Sequence, residues 1–265
     1  MLPMTTLVLG ATGKTGRRIC DRLTGDVRRG SRATGFDWND RSTWAPMLAG
    51  VDAAYISYYP DLSLPGAAET VEAFAQLAAA SDVRRLVLLS GRGEPEAQRA
   101  EALVAAAGTE WTVVRCSWFA QNFSEDFLSG VLRTDEVYLP AGDVPEPFVD
   151  AEDIADVAVA ALTEDSHHGQ VYELTGQRAL RFDEAVAEIA AASGRPVRYL
   201  PVTVDEFVAG AVEAGYPSEV AYGLGQVFAV VLDGRNVATT GGVAEALGRP
   251  PRDFTEFAVT EWGSR

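Results

Sequence analysis

Along the first two-thirds of the chain, short apolar runs alternate with longer stretches whose apolar residues recur every three or four positions. The runs at residues 5–9, 27–31, 51–59, 85–90, 111–115 and 171–174 are predicted to be β-strands. The stretches at 16–23, 66–81, 95–107, 150–162 and 183–192 have helical spacing, and several are rich in alanine. The run Arg85-Leu86-Val87-Leu88-Leu89-Ser90 does not alternate, as is usual for a strand covered on both faces of a parallel sheet. Strand and helix taking turns over this length predict an α/β fold with a doubly wound parallel sheet. After Gly194-Arg195-Pro196 the pattern changes, and residues 203–214 and 218–232 read as two amphipathic helices.

The first apolar run ends in Gly10-Ala11-Thr12-Gly13-Lys14-Thr15-Gly16 and then becomes amphipathic, with Ile19, Cys20 and Leu23 on one face. Glycines at 10, 13 and 16 between a strand and a helix let backbone N–H groups approach a diphosphate, to which the helix start adds its positive dipole end. A phosphate-binding P-loop would need a glycine at position 8, where the chain has Val8. A dinucleotide-binding Rossmann sheet is therefore expected, with Thr12, Lys14 and Thr15 helping to hold the pyrophosphate.

The net charge of −16 argues against nucleic acid or an anionic membrane as partner. Residues 1–45 nevertheless carry Lys14, Arg17, Arg18, Arg22, Arg28, Arg29, Arg32 and Arg41 against Asp21, Asp26, Asp37 and Asp40, a cationic island suited to a small phosphorylated ligand or to exposed helix faces. Two cysteines, Cys20 and Cys116, and two histidines, His167 and His168, suggest neither a disulfide framework nor a metal site. Both histidines are expected in a surface turn. The N-terminal pattern and the lengths of the apolar runs predict a cytoplasmic protein. At the end of the second run, Ser31 and Arg32 stand where an arginine pairs with the 2′-phosphate of NADP. Asp37 has the spacing of the acid that holds the ribose of NAD, but Gly35-Phe36-Asp37 reads as the end of another short strand near the adenine, so NADP is favoured over NAD.

The glycine loop, Phe36-Asp37-Trp38, Leu88-Leu89-Ser90-Gly91, the segment Trp111-Thr112-Val113-Val114-Arg115-Cys116-Ser117-Trp118-Phe119-Ala120-Gln121-Asn122-Phe123, and Pro147-Phe148-Val149-Asp150-Ala151-Glu152-Asp153-Ile154-Ala155 together resemble the NmrA-like atypical short-chain dehydrogenases/reductases. The resemblance implies NAD(P) binding and, for many members, reduction of a carbonyl, quinone or other conjugated small molecule. Some relatives bind the cofactor without turning it over and act as redox sensors. It also implies a division into a dinucleotide-binding domain at 1–178, with part of the substrate pocket around 117–148, and a smaller, mainly helical substrate lobe at 179–265 interleaved with it.

Short-chain dehydrogenases use a Tyr-x-x-x-Lys pair, in which the lysine lowers the tyrosine pKa. Here the one lysine is Lys14, and none of the eight tyrosines has a lysine or arginine four residues on. Ser90, at a strand end, resembles the family's active-site serine and is also read as a turn serine. By resemblance Asn122 and the backbone around Cys116 lie near the nicotinamide, and Tyr58 is a candidate donor at another strand end. Trp118, Phe119, Phe123, Tyr138, Phe148, Tyr222 and Phe228 are expected either to wall an aromatic pocket or to pack as core. The reading is an NADPH-dependent reductase delivering hydride to a carbonyl or quinoid carbon of a hydrophobic, aromatic small molecule. A redox sensor acting on a protein partner and a non-redox isomerase are the alternatives.

Overall fold

The computed structural model describes residues 4–125 and 127–263. Its strands are β1 (Thr5–Leu9), β2 (Asp26–Gly30), β3 (Ala53–Ile56), β4 (Arg85–Gly91), β5 (Glu110–Cys116), β6 (Glu136–Leu139), β7 (Gln170–Leu174) and β8 (Arg198–Pro201). Six of them form one sheet in the order β2-β1-β3-β4-β5-β7, all parallel, and β6 pairs with β8 in a separate two-stranded parallel sheet. The doubly wound sheet read from the apolar runs is present. Its strand order reverses direction between β1 and β3, which opens the crevice where ligands of such sheets bind.

The chain divides into two compact units. Residues up to Cys116, Ala151–Leu174 and Gly241–Pro250 make the first, and Ser117–Asp150, Thr175–Thr240 and the chain from Pro251 onward make the second. The first unit buries the aliphatic side chains of its sheet, among them Leu7, Leu9, Ile56, Leu86 and Leu88, against Val71 and Phe74 of the Ala67–Ala80 helix. Each such side chain contributes about 1.5–3 kcal/mol on leaving water. The second unit has a different core. Phe123, Phe148, Phe182 and Phe254 meet at centroid distances of 5.1–5.6 Å, mostly edge to face, with Phe228 against Phe182 at 5.8 Å.

Several local expectations change. The second strand stops at Gly30, because Ser31 instead caps a short 3₁₀ turn, Arg32–Thr34. Gly35-Phe36-Asp37 is not a strand, since Phe36 turns into an aromatic corner with Trp38 at 5.0 Å and Phe74 at 5.9 Å. The third strand is shorter than residues 51–59: the Ser57 carbonyl, just beyond its end, accepts the Trp38 indole N–H at 3.3 Å. His167 is not in a solvated turn; it is buried, with its ring Nδ1 2.8 Å from the Tyr172 hydroxyl. Among the described residues, no helix is long and apolar enough to cross a membrane.

Candidate active site

β1 runs straight into the glycine turn. Gly10 has φ of +67°, in the left-handed region, and its carbonyl accepts the Gly13 N–H at 2.8 Å. Any side chain at Gly16 would collide with that same carbonyl, so the Lys14–Arg22 helix starts pressed against the turn. Gly13 caps the helix without a side chain, and the first-turn amides have no intrahelical acceptors. A backbone bare of side chains at the positive end of a helix fits a diphosphate. Thr12 is exposed and Lys14 half-buried at this rim. Thr15 is buried beneath the turn, and its hydroxyl accepts the Tyr55 phenol proton at 2.9 Å. Burial raises the pKa of that phenol far above its ordinary value.

The end of β2 adjoins the turn, because the Ala11 N–H donates to the Gly30 carbonyl at 3.3 Å. Here Arg32 is exposed, and its guanidinium lies over the Tyr59 ring, 5.3 Å from the centroid. The Ser31 amide donates to Thr34 Oγ1 at 2.9 Å, which fixes the 3₁₀ turn that presents Arg32. Asp37 is committed locally: its carboxylate accepts the Asn39 N–H at 2.9 Å and its carbonyl accepts the Trp44 indole at 3.0 Å. Much of the cationic island is structural. Arg18 and Arg22 bind Glu152, Arg22 also binds Asp156 at 2.8 Å, and Arg28 donates to the Met47 and Ala49 carbonyls.

At the ends of β4 and β5 the register aligns Ser90 with Arg115 and Gly91 with Cys116. Ser90 is buried and its hydroxyl donates to Glu101 at 2.6 Å, while Arg115 forks onto the two oxygens of the same carboxylate at 3.0 and 2.5 Å. Arg115 also reaches Glu173 on β7 at 3.6 Å, and Arg92 reaches it at 3.4 Å. The Ser90 proton is thus engaged by a buried carboxylate. Cys116 is buried, and desolvation pushes its thiol pKa well up, so it offers backbone and not a nucleophile. Tyr58 is half-buried, packed on Trp38 at 5.1 Å.

On the opposite face of β4 stands Glu94. Its carboxylate occupies the space that a side chain at Gly91 would fill. Burial, with the negative charge of Asp61 as a second cause, pushes its pKa up to about 7. Neither the role of Glu94 nor Tyr59 as the seat of Arg32 follows from the sequence pattern alone. A glycine at a strand end followed by glutamate and proline, Gly91-Arg92-Gly93-Glu94-Pro95, was the available signal.

In the second unit, Phe123, Phe148 and Phe228 belong to the aromatic core and are at most 3% exposed. Trp118 lies against Phe182 and Phe228 at 5.4 and 5.3 Å, Phe119 bridges to Val149, and Tyr222 is 59% exposed. Asn122 opens the short Asn122–Glu125 helix, half-buried. A cavity of about 780 Å³ lies within this unit, lined by Val131, Tyr138, Val202, Phe207, Ala211 and Tyr216 among others. Of the seven expected pocket aromatics, Tyr138 alone lines it.

No family model matches the chain. A curated reductase of Streptomyces griseus, (4-alkanoyl-5-oxo-2,5-dihydrofuran-3-yl)methyl phosphate reductase, is 33% identical over 278 residues, covering 96% of each chain. An NAD(P)H azoreductase of Xenophilus azovorans is 29% identical over 279 residues, covering 95% of this chain and 96% of its own. Among solved structures, the Citrobacter triphenylmethane reductase in complex with NADP(H) superposes with a TM-score of 0.81 at 18% identity, covering 98% of this chain and 100% of its own. With the glycine turn seated at the head of a doubly wound sheet, these matches place the chain in its family. It belongs to the NmrA-like atypical short-chain dehydrogenases/reductases and is an NAD(P)H-dependent oxidoreductase.

Proposed function

We propose that the protein is an NADPH-dependent reductase that delivers hydride to a carbonyl or quinoid carbon of a hydrophobic, aromatic small molecule, without a Tyr-Lys pair. The observation that carries the cofactor choice is Arg32, held over Tyr59 at the end of β2 beside the glycine turn. A 2′-phosphate there gains charge-assisted hydrogen bonds that the 2′-hydroxyl of NADH does not offer. Asp37 supports the same choice, because the carboxylate that would bind a ribose diol is already turned onto Asn39. Gly10, Gly13 and Gly16 admit the pyrophosphate, and Thr12 and Lys14 stand at its rim. Bound NADPH would supply the hydride, and the protein's part is to hold donor and acceptor carbon at reacting distance. The carbonyl acceptor draws on the relative named for an alkanoyl-substituted oxo-dihydrofuran, and the relative named an azoreductase supports a conjugated small molecule more broadly.

The test is a paired fluorescence titration with NADPH and NADH on the wild type and Arg32→Ala, followed by a panel of quinones and aromatic ketones. Loss of the guanidinium is expected to weaken NADPH binding about 10- to 100-fold and leave NADH unchanged. Equal weakening of both nucleotides would remove Arg32 as the reader of the phosphate. Failure of the wild type to bind either would overturn the dinucleotide site.

A further inference from the structure

Reduction of a carbonyl needs a proton as well as a hydride, and the usual tyrosine is missing. We infer that the Glu94 carboxyl is the proton donor of the reaction, an assignment that rests on the reductase reading above. The sheet gives the direction of the bound dinucleotide. Its phosphate turn follows β1 and its 2′-phosphate reader follows β2, so the reactive end must run the other way, past β3 toward β4. From β2 to β4 is three inter-strand spacings, roughly 14 Å. Glu94 follows the end of β4 by three residues, and its carboxylate lies against Gly91, the last residue of that strand.

Its setting suits a donor. The carboxylate rests against the bare Cα of Gly91, and among the described residues no hydrogen bond or ion pair engages it. The charge that faces it is Asp61, from the loop after β3, which opposes ionisation. Arg92, the cation nearest in sequence, binds Glu173 at 3.4 Å. Together with burial these surroundings hold the pKa at about 7, so near neutrality a large share of the molecules carry the proton. In the balanced step the acceptor carbon receives hydride with its electron pair from the reduced nicotinamide. The carbon–oxygen π pair moves to oxygen, and the Glu94 O–H breaks to give that oxygen its proton. The acceptor is reduced, the nicotinamide is oxidised, and the Glu94 carboxylate regains a proton from water.

The experiment compares wild type, Glu94→Gln and Gly91→Ala, each as the full chain with NADPH, on two acceptors. An apolar quinone needs both hydride and proton, whereas a cationic triarylmethane dye is neutralised by hydride alone. With the quinone, Glu94→Gln is expected to lose about 100-fold in kcat and to lose the alkaline fall with midpoint near 7. With the dye it is expected to stay within about two-fold of wild type. Gly91→Ala, which pushes the flexible carboxyl from its seat while leaving it in the chain, should follow Glu94→Gln. Without cofactor, the infrared band of a protonated carboxyl should titrate near pH 7 in wild type and be absent from Glu94→Gln. Equal loss on both acceptors, an unchanged quinone profile, or no such band would overturn the assignment. A wild type that binds NADPH but reduces neither acceptor would overturn the reductase reading, and the donor with it.

Discussion

On one face of the end of β4, the Ser90 hydroxyl and the Arg115 guanidinium converge on Glu101, and Glu173 and Arg92 extend the row across β5 to β7. On the other face, Glu94 leans on Gly91 and, among the described residues, meets no cation. Both glutamates come from one segment, Glu94 just before the Pro95–Ala105 helix and Glu101 within it; Glu101 is buried and Glu94 half-buried. What separates them is strand register. Side chains alternate across a strand, so Ser90 shares its face with Arg115 directly opposite, while Gly91 is aligned with the uncharged Cys116. A carboxylate that finds a fork of N–H donors becomes structure. One that finds a glycine keeps its proton into the neutral range.

The contrast can be broken from either side. Glu101→Ala leaves Arg115 half-buried with one distant partner and Ser90 with none, and should cost about 3–5 kcal/mol in thermal or urea unfolding. Glu94→Gln should act the other way and depend on pH. The folded state holds this proton up to about 7 while the unfolded chain releases it near 4.5, so wild type loses stability as pH rises through that window and then levels off. The variant lacks that slope and should be the more stable above pH 7, by about 1–2 kcal/mol once partial exposure is allowed for. Ser90→Ala removes one hydrogen bond to a carboxylate that keeps its arginine, and should cost about 1 kcal/mol at any pH between 5 and 9.

The sheet was legible because its strands are apolar runs bounded by glycine, proline or charge, and because the glycine turn marks where the first of them ends. The small β6–β8 sheet was not. Glu136-Val137-Tyr138-Leu139 is too short to show a period, and its partner Arg198–Pro201 lies far along the chain. The aromatic residues stand out in the sequence, yet their spacing cannot tell a pocket wall from a core. Phe123 and Phe148 are buried because they meet Phe182 and Phe254 from distant segments. Thr15 and Ser90 were read by position in a motif, whereas their hydroxyls are engaged by Tyr55 and Glu101, partners that only the folded chain supplies. Glu94 was hidden for the same reason, since its role depends on a side chain that Gly91 does not have.

The most direct measurement sets Ser90→Ala beside Glu94→Gln in NADPH-driven quinone reduction across pH 5–9. If one face of β4 is structural and the other donates the proton, Ser90→Ala keeps the wild-type rate and alkaline limb, and Glu94→Gln loses about 100-fold and the limb with it. The reverse pattern, with turnover lost in Ser90→Ala and kept in Glu94→Gln, would contradict the account.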